Sequence, residues 1–205
     1  MDKERFECSL SEKKHKIKKN ESLSVAFSTN DSSGNVLKKT FIFNGDSYRI
    51  DYTISSETLD GKSITTGWAG GILESEETTN SRQGRFSQKR VHLFDGKSVE
   101  KISWKKEQNE ERTGFFKWIG VTSKYFLISM VSDSIRDTDI LVTGIEEKEI
   151  EQEKKGKQKS ITYQFYYRRI AEGTQERFWI YAGPTKLSEL TRYGVKLNKV
   201  LFGGW

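Results

Sequence analysis

The chain has 205 residues, 34% of them hydrophobic, with 35 Lys and Arg facing 29 Asp and Glu for a formal charge of +6. That length and apolar content suffice for one well-buried domain or at most two small ones, and one is expected over residues 1–205. The small basic surplus gives little sign of a polyanionic partner, and the single Cys8 excludes an internal disulfide and a cysteine-rich zinc centre.

One proline, Pro184, and closely spaced Tyr, Phe, Thr, Ile and Val predict strands more than helices. The opening residues "MDKERFECSL" contain no apolar core of signal-peptide length. The basic run "KKHKIKK", Lys13 to Lys19, has no interleaved aromatic motif of the kind that binds RNA, so no nucleic-acid partner is expected. It reads as a solvated edge strand whose lysines discourage aggregation, with contact to anionic lipid as the alternative.

In "DSYRIDYTIS" the apolar Tyr48, Ile50, Tyr52 and Ile54 alternate with polar residues, the period of a half-buried strand. "VLKKTFIF" precedes it, and Asn44-Gly45-Asp46 between them predicts a hairpin turn, because Asn-Gly accepts positive φ. "DSSGN", "LDGK" and "FDGK" mark further turns at the spacing of a sandwich or barrel. "GWAGG", Gly67 to Gly71, lacks the Gly-Lys-Ser/Thr ending of a phosphate loop and predicts a bulge or a close backbone approach.

His15 and His92 have no nucleophile or ligand pattern beside them, and the carboxylates of "ESEE" and "EEKEIEQE" have no cleft to set their pKa values apart. No catalytic residue, metal or cofactor is therefore expected. "FFKWIGVTSKYFLISM", Phe115 to Met130, is interrupted by Lys117 and Lys124, which leaves it short of the ~18 apolar residues of a spanning helix. It predicts a core strand region in which Trp118 and Tyr125 pack, with a partner surface as the alternative.

From Ile140 to Ile170 two strands are predicted, Ile161, Tyr163, Phe165 and Tyr167 alternating, joined by a solvated charged tip near Lys155 to Lys157. After Pro184, "TKLSELTRYG" predicts a helix over Thr185 to Tyr193 with Leu187 and Leu190 on one side and Gly194 as its stop. "VKLNKVLF" then alternates as an extended segment would.

Three stretches, in order, resemble the large periplasmic domain of the YidC family of bacterial membrane protein insertases. "DSSGNVLKKTFIFNGDSYRIDYTIS" is similar to a family strand pair with a Tyr-centred second strand. "WIGVTSKYF" resembles the family element W-[IV]-[AG]-x-x-x-x-Y-F, with Trp118, Ile119, Gly120, Tyr125 and Phe126 in register. "FWIYAGPTKLSELTRYG" is similar to a strand ending in Gly183-Pro184 followed by a short helix carrying Leu187 and Leu190, before a final segment that reaches Trp205. The agreement runs from about Ser22 to Trp205.

The resemblance implies an all-β fold: a β-supersandwich of two antiparallel sheets, like that of galactose mutarotases, with a short helix at its C-terminal edge. It further implies a non-catalytic domain on the periplasmic side of the bacterial inner membrane, part of a multi-pass protein, excised from the transmembrane insertase core and shortened at its front. Sec translocon subunits and nascent membrane proteins are the implied partners. The rival reading is a carbohydrate-binding or mutarotase-like sandwich. That chemistry needs paired histidines and a carboxylate in a cleft, or stacking platforms such as exposed Trp68, Trp104 or Trp179.

Overall fold

A computed structural model describes residues 5–12, 14–72, 89–104, 106–146 and 161–201. The strands are β1 (Glu7–Cys8), β2 (Ser22–Asn30), β3 (Val36–Asn44), β4 (Arg49–Ser55), β5 (Ser63–Trp68), β6 (Arg90–Phe94) and β7 (Val99–Ile102). They continue with β8 (Gln108–Phe115), β9 (Trp118–Thr122), β10 (Phe126–Ser132), β11 (Asp137–Glu146), β12 (Ile161–Ile170) and β13 (Gln175–Pro184). Helix α1 (Leu187–Arg192) and a 3-10 helix (Leu197–Val200) follow.

These form two antiparallel sheets, as expected: a nine-stranded one in the order β1-β2-β3-β4-β13-β10-β9-β6-β7, and a four-stranded one in the order β5-β12-β11-β8. No helix among the described residues is long and apolar enough to cross a membrane.

Residue pattern explains which strands lie where. β11 and β12 alternate buried and exposed positions, so Ile140, Val142, Tyr163, Phe165 and Tyr167 point inward while the other face meets water. On that solvent face Arg168 holds Asp139 at 3.0 Å and pairs with Glu111. β9 is buried at every position, and β13 carries the run Phe178 to Tyr181 buried on both faces. A strand without polar alternation needs cover on both sides. Here the inner cover is the small sheet, and the outer cover is α1 with the 3-10 helix.

The core is accordingly divided. Inner-facing Tyr52, Val91, Ile119, Met130, Phe178 and Ile180 pack toward the small sheet. Outer-facing Phe94, Trp118, Leu127, Val131, Trp179 and Tyr181 pack under Leu190, Leu197 and Val200. Each large side chain so buried contributes about 1.5–3 kcal/mol. The C-terminal helix thus lies across the outer face of the large sheet, not along its edge.

An ionic cluster closes one end of the sandwich. Arg169 on β12 and Glu176 on β13 are both buried, Arg169 reaching Glu176 at 2.5 Å and Ser132 Oγ at 2.7 Å, while Arg136 also pairs with Glu176. Glu172 N donates to the second Glu176 oxygen at 3.0 Å. A buried carboxylate is tolerable only when its lone pairs are met in this way.

Turns follow the sequence in most places. Gly34, Gly61 and Gly96 take positive φ of 82°, 71° and 96°, and Asp95 accepts from the Lys97 and Ser98 amides at 2.7 Å each. At Asn44-Gly45 the hairpin forms between β3 and β4, but Gly45 is not among the positive-φ residues. The last pair before this connection is Phe43 with Ile50, so the link is a wider loop than a two-residue turn. Gly67 is a close approach, its missing Cβ facing the Phe165–Tyr166 backbone.

Two readings are corrected. "KKHKIKK" is not an edge strand: its described residues form no strand, and the edge position belongs to the short β1. "VKLNKVLF" is not extended. Lys196 turns left-handed at φ 61°, and the next residues make a 3-10 turn that sets Leu197 and Val200, three apart, on the same sheet face. The charged tip near Lys155 to Lys157 lies outside the described residues, although the two strands flanking it pair as expected.

Candidate interaction surface

The motif residues converge at one end of the large sheet. β9 and β10 are a hairpin whose turn, Ser123 to Tyr125, is closed by Ser123 N donating to Phe126 O at 2.8 Å. β13 finishes beside it with Phe126 opposite Pro184 and Leu127 opposite Gly183. Thr185 N then donates to Tyr125 O at 2.8 Å, so the chain leaves the sheet next to the β9–β10 turn. A proline suits this last strand position, where no ladder donor is lost further on.

Gly183 has a steric reason. A Cβ there would stand 2.6 Å from Tyr48 Cγ and 2.9 Å from the Tyr181 hydroxyl. Its absence lets the Tyr48 ring lie against the end of β13, where Ala182 N donates to Tyr48 O at 3.0 Å. Gly120 is similarly enclosed, with Ile128 O and Ser129 Cβ each 2.9 Å from the Cβ position.

α1 is fastened over this region. Leu190 is fully buried, Trp118 Nε1 donates to Val195 O at 2.9 Å, and Tyr48 N donates to Tyr193 Oη at 3.1 Å. Arg192 reaches Asp46 O at 3.2 Å, and Gly194 ends the helix with φ 71°. The Tyr193 ring lies 5.8 Å from Trp179 and 5.3 Å from Tyr181. Tyr181 donates to Pro184 O at 2.7 Å, and burial raises its hydroxyl pKa.

Beside this fixed framework stands an exposed apolar rim. Tyr48, Tyr125, Phe126 and Leu187 are 44%, 42%, 44% and 47% exposed, against 0% for Trp118, Ile119 and Leu190. Three expectations are corrected by those values. Tyr125 does not pack in the core as Trp118 does, because it sits in the turn after β9. Tyr48 precedes β4 and does not share the burial of Tyr52 and Ile54. Leu187 and Leu190 do not bury one common face: Leu187 opens the helix and faces water, while Leu190, a turn later, enters the outer core. Trp205 lies outside the described residues.

The remaining chemistry is sparse. His92 is buried on β6, its Nε2 3.0 Å from Thr122 Oγ1 and its Nδ1 without a partner. Burial, then the charges of Lys101 and Arg90, lower its pKa to about 3. It is neutral and has no proton to lend near neutral pH. His15 Nε2 lies 3.1 Å from the exposed Glu12 carbonyl. Among the described residues no group of His, Cys, Asp and Glu could hold a metal ion. Trp68, Trp104 and Trp179 form no stacking platform: Trp179 is buried under the helix, and Trp68 and Trp104 are half-buried against the inner core.

Tyr48 and Tyr193 were not legible as partners in the sequence, since 145 residues separate them. Their only signal was an aromatic at each of two element boundaries.

The chain is 25% identical over 198 residues to the membrane protein insertase YidC of Chlorobaculum parvum, covering 90% of this chain and 31% of that protein. It is 24% identical over 205 residues to that of Chlorobium luteolum, covering 93% and 32%, and 22% identical over 209 residues to that of Chloroherpeton thalassium, covering 98% and 34%. The chain therefore spans about a third of the length of these relatives. A model of the YidC periplasmic domain matches residues 3–205, and the chain belongs to that family.

Proposed function

We propose that this chain is the non-catalytic extracytoplasmic domain of a YidC-type insertase, residues 1–205 acting as one unit on the periplasmic side of the inner membrane within a multi-pass protein. Its sheet surfaces contact partner proteins, Sec translocon subunits and nascent membrane proteins being the partners that the family resemblance suggests. α1 and the segment after it carry the domain's position to the membrane-embedded core.

One observation carries this reading. The helical segment is fastened to β9 through Trp118, to the residue before β4 through Tyr193, and into the outer core through Leu190, so that displacing it disturbs the large sheet. A segment held this way transmits orientation, whereas one held by side-chain ends alone would not. The buried, neutral His92 and the absence of an exposed tryptophan platform among the described residues support a binding role over sugar chemistry.

The test is made in the full-length membrane protein. Trp118→Phe combined with Tyr193→Phe removes the Trp118–Val195 and Tyr48–Tyr193 hydrogen bonds while keeping an aromatic ring at each position. Normal accumulation with impaired insertion of dependent membrane proteins is expected. Full insertion activity from a variant shown by hydrogen exchange to have a loosened helix would overturn the reading.

A further inference from the structure

Charge is distributed unevenly between the two ends of the large sheet. At one end lie the β2–β3, β4–β5, β6–β7, β10–β11 and β12–β13 connections, where Asp31, Glu57, Asp60, Asp95, Asp133 and Glu172 outnumber Lys62, Lys97 and Arg136. At the other lie the start of β2, the β3–β4 loop, the β9–β10 turn and the β13–α1 junction, where Lys18, Lys19, Lys124 and Lys186 outnumber Glu21 and Asp46, Glu21 pairing with Lys18 at 3.8 Å. The basic run reaches this second end because Ser9 N pairs with Ala26 O at 2.8 Å and the chain then turns where Glu21 N donates to Lys18 O at 3.0 Å. Gly45 marks the contact: the Lys18 carbonyl occupies the place of its missing Cβ. A polar depression of about 310 Å³ lies between Lys19 to Ser22 and Asn44 and Asp46.

The exposed rim of Tyr48, Tyr125, Phe126 and Leu187 is at this same basic end. The Lys124 ammonium stands 4.6 Å from the Tyr125 ring centre, so charge and aromatic surface are presented together. Exposed tyrosine and phenylalanine among lysines match the interfacial zone of a bilayer, where rings lie at the headgroup level and ammonium groups meet lipid phosphates. A protein partner of the same face would need no such difference between ends, whereas an anionic surface favours the end with the cationic excess.

We infer that the basic aromatic end, formed by Lys18, Tyr48, Lys124, Tyr125, Phe126 and Leu187, seats on an anionic lipid surface and sets the domain upright on the membrane. This rests on the proposed placement at the periplasmic face of the membrane, but it concerns lipid rather than protein contact and is independent of the path of the segment after α1, whose Lys199 reaches Lys97 O at the opposite end.

Vesicle flotation of the 205-residue chain tests it, with phosphatidylcholine vesicles compared with vesicles containing phosphatidylglycerol. Binding to the anionic vesicles and not the neutral ones is expected, weakening as salt is raised. Lys124→Glu with Lys186→Glu should lower the partition coefficient by about tenfold or more. Lys62→Glu with Lys97→Glu, the same charge change at the opposite end, should lower it far less. Tyr125→Ser with Phe126→Ser, in surface positions, should weaken binding without altering the melting temperature by more than a few degrees. Absent binding to anionic vesicles, or equal losses from the two charge-reversal pairs, would overturn the inference. Wild-type and rim variants failing alike on vesicles while protein crosslinks persist would overturn the lipid contact and leave the interaction-domain reading standing.

Discussion

The indole of Trp118 donates to the carbonyl of Val195 at 2.9 Å, joining the first residue of a fully buried strand to the turn after the C-terminal helix. Two stretches 77 residues apart become one unit by that bond and by the burial of Leu190 and Leu197 beside it. Trp118→Phe keeps most of the apolar contact and should cost about 1 kcal/mol for the lost hydrogen bond. Trp118→Ala should cost about 3–5 kcal/mol. Denaturant titration separates the two, and hydrogen exchange should show the extra opening of Trp118→Phe concentrated in α1 and the 3-10 helix.

Leu187 and Leu190 should behave as opposites. Leu190→Ala removes a fully buried side chain and should destabilise by about 2–5 kcal/mol, whereas Leu187→Ala, nearly half exposed, should change stability by less than about 0.5 kcal/mol. Comparable losses in thermal melts of the two variants would refute the division of α1 into a buried and a presenting side.

The Arg169–Glu176 pair ties the small sheet to the large one where both side chains are 1% exposed. Glu176→Gln leaves two guanidinium groups with less than their charge needs and should cost on the order of 3–5 kcal/mol. Burial alone would raise the Glu176 pKa, but hydrogen bonds from Arg136 and the Glu172 amide, with the Arg169 charge, hold it below the ordinary carboxylate value. A depressed folded pKa gives stability that is complete above the unfolded carboxylate pKa and is lost as pH falls through the folded one. The difference in stability between wild type and Glu176→Gln should therefore shrink as pH is lowered below the carboxylate range, which melts at a series of pH values will measure.

His92 adds a separate acid sensitivity. Its folded pKa, lowered to about 3, means that the unfolded chain takes up a proton between the ordinary histidine value of 6.5 and that point while the folded chain does not. Its contribution is thus fully present above 6.5 and falls away as the solution is acidified. The His92 ring resonances should stay those of a neutral imidazole from pH 8 down to about 5; a midpoint near 6.5 for His92 would contradict its burial.

Much of the fold could be read from residue period. The alternation in Ile161 to Tyr167 and the glycines of "DSSGN" and "FDGK" each state a local physical requirement, and those elements formed where the sequence placed them, while the core strand region of Phe115 to Met130 resolves into the β9–β10 hairpin. The failures are equally local in origin. "VKLNKVLF" carries both a two-residue and a three-residue apolar spacing, and contact with the sheet face through Leu197 and Val200 selects the latter. The lysine run resembles an edge strand in composition, but composition cannot supply a neighbour with which to pair. The candidate surface is half legible. Trp118, Gly120, Gly183 and Pro184 are recognisable because they shape the junction, whereas exposure of Tyr48, Tyr125 and Leu187 depends on where separate elements end in space.

An interaction module positioned by its C-terminal segment should touch partners through one part of its surface. Photoreactive residues placed singly across the full-length protein in its membrane test it most directly, at surface positions of both sheets, at the Tyr125 and Leu187 rim, and at Asp31 and Lys97 on the far end. Discrete adducts to translocon subunits or nascent membrane proteins from a contiguous patch of sheet surface, with few from the far end, are the predicted result. No protein adduct at any position, or adducts spread evenly over both ends, would contradict the account and leave the domain a passive spacer.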